Sequence, residues 1–428
     1  MVTTAFVKLW GQIVGAIAWN PEKEIASFEY DPKFDLEKYA VSPIKLPSKN
    51  RIYSFPELRN EETFKGLPGL LADSLPDKYG KELINVWLAQ NGRPENSLNP
   101  VELLCFIGKR GMGALEFEPN VQPDTKSYTL ELSGLIETTK MLLQRKENVQ
   151  LHTTNKMRDT MLDVLKMGTS AGGARPKAII AYNEQTGEIK SGQALTEAGF
   201  EHWLIKFDGV NDSQFGSSTG YGRVEMAYYR MATDFGIEMM ECKLIEESDR
   251  AHFMTKRFDR NQANQKLHTQ TFCALQHYDY QNIYGYSYEQ LFQTMRALRL
   301  SYAEAEQMFR RMVFNVIARN CDDHTKNFSF LMDQTGKWKL APAYDICHAY
   351  RPGSDWVSQH NLSINGKRKE FVLADFITVA EQNSIRNPKK ILAECIEIVG
   401  NWEKYANQCN VEAQLKEAIQ QTLIQEID

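Results

Sequence analysis

The sequence predicts an α+β chain: two lobes preceded by a smaller α+β module, the second lobe largely helical. Three observations carry this. The first twenty residues show β-rich alternation in AFVKLWGQIVGAIAWN, and helical spacing follows within the first 120. A second mixed segment then sets a glycine-rich turn, a strand, a helix and another strand in succession. From about residue 287 helical periodicity takes over, broken by one acid-rich stretch, NCDDHTKN at 320–327, and a hairpin.

The 428 residues are long enough for two or three domains. We divide them as 1–120, an N-terminal α+β subdomain; 121–260, the first lobe with its glycine-rich loop; and 261–428, the helical second lobe. In the first of these, Gly11 marks a turn between two strands. Asp77 to Gln90 reads as a helix, and VELLCFIGKRGMGALEFEP as a short helix, a glycine turn and a strand. Residues 119–127 are polar with two prolines and serve as a linker, followed by helical spacing over 129–146.

In the first lobe, GTSAGGARPK from Gly168 to Lys177 leads into the strand AIIAYN. EHWLIKFD is a second strand with Lys206 inside it. Val224, Ala227, Tyr228, Met231 and Phe235 form a helical stripe, and AHFMTKRFDR returns to strand. In the second lobe, Ser301 and Glu304 form a capping box for a helix whose apolar positions include Met308, Met312, Val313, Val316 and Ile317. That helix is therefore buried, and it delivers the chain to Asn320. FSFLMDQTGKWKLAPAYD reads as a hairpin turning at Gln334 to Gly336. The C-terminus from about 372 is helical.

Composition narrows the function classes. The chain is 42% hydrophobic and 25% charged, with 50 basic and 55 acidic residues and a net charge of −5. A mildly acidic chain is not a DNA binder in its own right, though a basic partner changes that. Seven scattered cysteines with no C-x-x-C pair argue against a disulfide framework or a zinc site and suit a reducing cytoplasm. No apolar run reaches eighteen residues, so no membrane span is expected.

The order of parts is that of a bilobed, protein-kinase-like fold. Phosphoryl transfer needs positioning and charge neutralisation, with an acid beside the attacking hydroxyl and oxygen ligands for the metal. Asp322 and Asn327 are five residues apart, the spacing of a kinase catalytic acid and its metal-binding Asn. Asp345 follows the hairpin, where a second metal ligand belongs. The spacing leaves Cys321 and Asp323 without a role. A D-x-x-x-x-N taken alone is more often a solvated turn; the buried helix before it and the hairpin after it favour the site. Carboxylate and amide oxygens suit Mg²⁺ better than Zn²⁺. His348, near Asp345, reads as an ordinary surface or core histidine. Lys206, mid-strand among apolar residues, needs a partner, and Glu225 on the next helix is the candidate. FMTKRFDR fits a connector offering backbone groups to adenine, although Arg257 and Arg260 fit surface ion pairs as well.

These segments together resemble the HipA-like serine/threonine kinase toxins of bacterial type II toxin–antitoxin systems. The resemblance runs nearly end to end, through FKGLPGLLADSLPD, GMGALEFEP, SAGGARPKAII, WLIKFD, KRFDR, NCDDHTKNFSFL and LAPAYDI. It implies a kinase-like bilobed fold, ATP and Mg²⁺, and a protein substrate, with aminoacyl-tRNA synthetases among the targets. It also implies a helix-turn-helix antitoxin of the HipB type, with operator DNA bound mainly through that partner. By motif position, Asp322 is the implied catalytic base, and Asn327 and Asp345 the metal ligands. Gly172, Gly173, Ala174, Arg175, Pro176 and Lys177 form the implied phosphate loop, with Lys206 on the ATP phosphates. Lys256 and Phe258 offer backbone groups to adenine, while His324, Lys326 and Tyr344 border the nucleotide. Ser170 stands where family members are autophosphorylated. The loop end G-G-A-R-P-K departs from the family's G-A-Q-E-K, which bears on that regulation. Two other classes compete: a small-molecule phosphotransferase sharing the acid-to-Asn spacing, and a pseudokinase scaffold for a DNA-binding antitoxin.

Overall fold

The computed structural model describes residues 2–119, 168, 175–192, 198–209, 219–247 and 249–428. They fall into two compact units. One comprises residues 1–39, 48–219 and 245–269, the other residues 40–47, 220–244 and 270–428. The expected linker at 119–127 and the helix at 129–146 lie outside the described residues beyond Pro119, as do Ser170, Gly172, Gly173 and Ala174.

The first unit holds one antiparallel sheet and, but for residues 242–244, a second sheet. Strands β1 (Thr4–Leu9), β2 (Gln12–Asn20), β3 (Ile25–Tyr30), β4 (Tyr53–Ser54) and β5 (Leu115–Glu118) assemble in the order β4-β3-β2-β1-β5. Val7, Leu9, Ile17, Ala26 and Phe28 are buried, so the alternation in the sequence becomes one buried face. The β1–β2 turn is the pair Trp10 and Gly11, with φ of 48° and 80°. Left-handed values at both central residues are what a two-residue hairpin requires, and glycine meets them at no cost. Asp77 caps the helix Lys78–Gln90, accepting from the Gly80 N–H at 2.9 Å. The buried helix Pro100–Ile107 starts with a capping box of Asn99 and Glu102.

The second sheet contains β6 (Lys177–Tyr182), β7 (Ile189–Ser191), β8 (Glu201–Lys206), β9 (Cys242–Glu247) and β10 (Arg250–Lys256), ordered β7-β6-β8-β10-β9. In the β6–β8 pairing Lys177 stands directly opposite Lys206. Directly opposed residues share a face of the sheet, so these two ammonium groups project to the same side.

After β10 the alternative of surface ion pairs for Arg257 and Arg260 is not what forms. Arg257 donates from Nε to Asp259 Oδ1 at 2.8 Å and from Nη2 to Oδ2 at 2.6 Å. Arg260 Nη1 reaches the same Oδ2 at 2.8 Å, as does the Gly113 N–H at 2.6 Å. Asp259 is completely buried. Burial alone would raise its carboxyl, but the two guanidinium groups hold it far below the usual carboxylate range. That alternative fails because Asp259, two residues away, takes Arg257 inward.

The second unit is mainly helical. Tyr221–Asp234 packs against Trp402–Gln408, and Tyr302–Ile317 packs against Pro388–Gly400. Tyr228, on the predicted stripe, stacks edge-on to Trp402 and donates to the Ala318 carbonyl at 2.7 Å. The Ser301–Glu304 capping box forms, and Met308, Met312, Val313, Val316 and Ile317 are buried. The hairpin pairs Ser329–Met332 with Trp338–Leu340, turning through Gly336 at φ 84°. Helices Leu373–Gln382 and Ala413–Gln420 complete the C-terminal region. No helix among the described residues is long and apolar enough to cross a membrane. All seven cysteines are free thiols.

Candidate active site

The stretch Asn320–Asn327 leaves the end of helix Tyr302–Ile317 and enters the hairpin, and buried polar groups fix both ends. Arg319 takes a left-handed φ of 56°, which turns the chain out of the helix. Asn320 Nδ2 then donates back to Asn315 Oδ1 at 2.9 Å. Asn315 Nδ2 donates to the Tyr288 hydroxyl at 3.0 Å, and that hydroxyl donates to Asp323 Oδ2 at 2.8 Å. His360 Nδ1 meets the same oxygen at 2.9 Å, and the Asn361 N–H donates to Asp323 Oδ1 at 2.7 Å. Asp323 was left without a role by its spacing. It is in fact the buried hub that anchors the loop to two distant segments. Cys321 is also buried, its Sγ 3.6 Å from His360 Nε2.

Burial alone would hold the His360 imidazole down. The Asp323 carboxylate, with Cys321 beside it, instead carries it up to about 10. Asp323 and His360 therefore form an ion pair inside the core, with every partner oxygen engaged.

Asp322 faces the other way. Its side chain keeps 31% of its surface open, enough for a small reacting group to reach it. Oδ1 accepts from Trp356 Nε1 at 2.6 Å and lies 3.7 Å from His324 Nε2. Close packing pushes the Asp322 carboxyl above its ordinary range. His324 and the Trp356 N–H oppose that rise, while Asp345 and Asp323 add to it. The Asp345 charge is thus felt at Asp322. Asn327 closes the loop on itself: its Nδ2 donates to the Asp322 carbonyl at 2.6 Å. That leaves Asn327 Oδ1 as a free-standing oxygen donor in the same turn.

Tyr344 and Lys326 adjoin this loop. The Tyr344 hydroxyl donates to the Lys326 carbonyl at 2.6 Å and meets Ser329 Oγ. Lys326 Nζ lies 5.1 Å over the Tyr280 ring, and Tyr280 is 5.1 Å from the His324 ring. Asp345 takes a left-handed φ of 54°, which Asp tolerates better than most residues. His348 is a core histidine as read, its Nε2 2.9 Å from Thr422 Oγ1, with burial and Arg319 lowering it to about 4.

In the first unit, Arg175 and Pro176 lead into β6, which begins at Lys177, opposite Lys206 on β8. Lys256 ends β10, with its ammonium group on Glu201, and Phe258 follows. Glu225 is buried on helix Tyr221–Asp234, in the second unit, whereas Lys206 belongs to the first. Sequence reasoning missed Trp356, Tyr280, His360 and Asn361. Each lies at least 34 residues from the part of the loop it serves, and none stands in a motif with it.

A strand pair with opposed lysines, and a helical unit carrying this acid–amide loop before a hairpin, define a mixed α+β protein of the kinase-like class. The HipA N-terminal domain model matches residues 5–118, and the HipA-like C-terminal domain model matches residues 169–424. The second match alone spans more than half of the chain, which belongs to the HipA-like family. A candidate kinase designated Y4mE, from Sinorhizobium fredii, is 23% identical over 372 residues, covering 81% of this chain and 77% of that protein. The fold is similar to that of Shewanella oneidensis HipA, solved with HipB and its operator DNA. The TM-score is 0.65 at 15% identity, over 97% of this chain and 95% of that one.

Proposed function

We propose that this chain is an ATP-dependent serine/threonine protein kinase acting as the toxin of a bacterial toxin–antitoxin module. The observation that carries the reading is the Asp322–Asn327 pair: one turn holds an accessible carboxylate and, through Asn327 Nδ2, fixes the backbone beneath it. Asp322 orients the acceptor hydroxyl and takes its proton as the oxygen–phosphorus bond forms and ADP departs. Asn327 Oδ1 and the Asp345 carboxylate are hard oxygen donors, the set that suits Mg²⁺. Bound Mg²⁺ supplies neutralisation of the phosphate oxygens. Lys177 and Lys206, opposed on adjacent strands, offer two positive charges to a polyphosphate. Residues 172–177 cradle the phosphates, Lys256 and Phe258 present backbone groups to adenine, and His324, Lys326 and Tyr344 border the nucleotide.

The partner follows from the family. The S. oneidensis protein was solved with HipB and operator DNA. By analogy, this chain binds a helix-turn-helix antitoxin of that type, which brings it to operator DNA despite its net charge of −5. The site of action is the cytoplasm, which the seven free thiols suit.

Labelled ATP with a cell extract, and separately with a panel of small alcohols, tests the activity. Label in protein, lost on the order of 10²- to 10⁴-fold in Asp322→Asn, is the expected result. Label in small alcohols alone would make the chain a small-molecule phosphotransferase. No transfer, with antitoxin binding retained, would make it a scaffold.

A further inference from the structure

We infer that Trp356 is the positioning residue for Asp322, selecting which carboxylate oxygen meets the acceptor hydroxyl; the inference rests on the kinase reading of Asp322. The indole Nε1–H stands 2.6 Å from Asp322 Oδ1, a short contact of the kind made to a charged acceptor. An Asp carboxylate turns easily about its last torsion and would otherwise present either oxygen. With Oδ1 held by the indole, Oδ2 is the oxygen left for the hydroxyl proton.

The indole is itself held in place. Ser354 Oγ accepts from the Trp356 N–H at 3.2 Å and from the Val357 N–H at 3.3 Å. Asn361 Nδ2 donates to the Trp356 carbonyl at 3.1 Å and to the Cys321 carbonyl at 2.8 Å. Asn361 and His360 are in turn fixed to Asp323. The backbone of Trp356 is thus tied to Cys321 and Asp323, the two residues flanking Asp322. On the ring side, Tyr280 lies 6.2 Å away edge-on, and His324 6.0 Å away. These rings wall one side of the carboxylate. Segment 351–361 is therefore a brace whose anchored end sits beneath the loop and whose indole reaches the reacting acid.

Two replacements in the full-length protein test this. Trp356→Phe removes the N–H, and 3-benzothienylalanine at the same position keeps the bicyclic shape while exchanging N–H for sulfur. Both are expected to lower kcat for protein phosphorylation on the order of 10- to 100-fold, with the KM for ATP within about twofold of the parent. In parallel, the Trp356 indole ¹⁵N–¹H resonance should move in Asp322→Asn. An unchanged kcat in the isosteric variant overturns the inference, as does a loss carried entirely by the KM for ATP. So does an indole resonance indifferent to Asp322→Asn. If the parent protein transfers no phosphate, the kinase reading fails on its own. The resonance then decides the pairing: a shift upholds it and its absence overturns it.

Discussion

Asp322 and Asp323 are chain neighbours whose carboxylates both hold one segment, residues 356–361. Asp322 Oδ1 takes the Trp356 indole at 2.6 Å, and Asp323 Oδ2 takes His360 at 2.9 Å inside the core. Asp323 is buried at 1% exposure, while the Asp322 side chain keeps 31% of its surface open. A pair of adjacent acids can therefore divide the tasks of reaction and anchorage.

Asp323→Ala removes the anchor and leaves the Tyr288 hydroxyl and the His360 imidazolium without their acceptor. Loss of one partner from a buried pair costs about 3–5 kcal/mol. Urea unfolding should show a loss of unfolding free energy of that size, read from the midpoint and its slope. A loss below about 1 kcal/mol, the range of an exposed pair, would show that the pair is not buried in solution.

His360 gives stability a basic limb. Its folded value is raised to about 10 from an ordinary 6.5. A group raised on folding contributes fully below its unfolded value and loses that contribution as pH climbs through the folded value. Stability should therefore fall between about pH 6.5 and pH 10. Denaturant titrations across that window should show the slope in the parent and a flatter profile in His360→Gln. Equal slopes would contradict the assignment.

Asp259 acts at the other end of the pH scale. Its carboxyl is held far below the usual range by Arg257 and Arg260. A depressed carboxyl contributes stability above its unfolded value, about 3.9, and loses it as pH falls further. Asp259→Ala should cost about 3–5 kcal/mol at neutral pH, because two buried guanidinium groups lose their counter-ion. The variant should also lose less stability on acidification than the parent, as followed by circular dichroism.

Metal dependence separates Asp345 from Asp322. On the proposed chemistry, EDTA abolishes transfer and added Mg²⁺ restores it. Asp345→Asn should raise the Mg²⁺ concentration needed for half-maximal rate by at least about tenfold. Asp322→Asn should leave that concentration unchanged while lowering the rate. A shared metal response in both variants would reverse the roles.

Ser170 lies outside the described residues, and its modification rests on the family resemblance. A phosphate there would add about −1.5 to −2 charges beside the loop proposed to receive ATP phosphates. Intact-mass measurement after incubation with ATP should show a phosphate on the parent, absent from Ser170→Ala, with transfer to other proteins retained. A phosphate persisting on the variant's loop peptide would sink the assignment.

Much of the fold was legible because its signals are local. Gly11 marked a turn that needs left-handed backbone, and Asp77, Ser301 and Glu304 announced helix starts. The stripe through Val224 and Met231 announced a buried face. The closeness of Asp322 and Asn327 was legible for the same reason: both lie in one turn, where Asn327 Nδ2 reaches the Asp322 carbonyl. The partners were not. Trp356 is 34 residues from Asp322, and His360 is 37 from Asp323, so only the folded chain brings them together. The burial of Arg257 and Arg260 on Asp259 was not legible either, because the Gly113 N–H that completes the cluster comes from 146 residues earlier.

That Gly113 contact is one of several stitches in the first unit. Lys266 Nζ reaches the Lys109 carbonyl at 2.6 Å and Glu116 Oε1 at 2.8 Å, and the Trp10 indole donates to the Lys266 carbonyl at 2.7 Å. The residues matched by the N-terminal family model are thereby sewn to residues 257–269, which the C-terminal model covers. An expression clone starting near residue 120 would strand Asp259, both arginines and Lys266 at a raw surface. The two family models are separable as sequence patterns, but the chain cannot be cut between them without breaking a shared core, so swapping N-terminal modules between relatives demands co-transplanting 257–269.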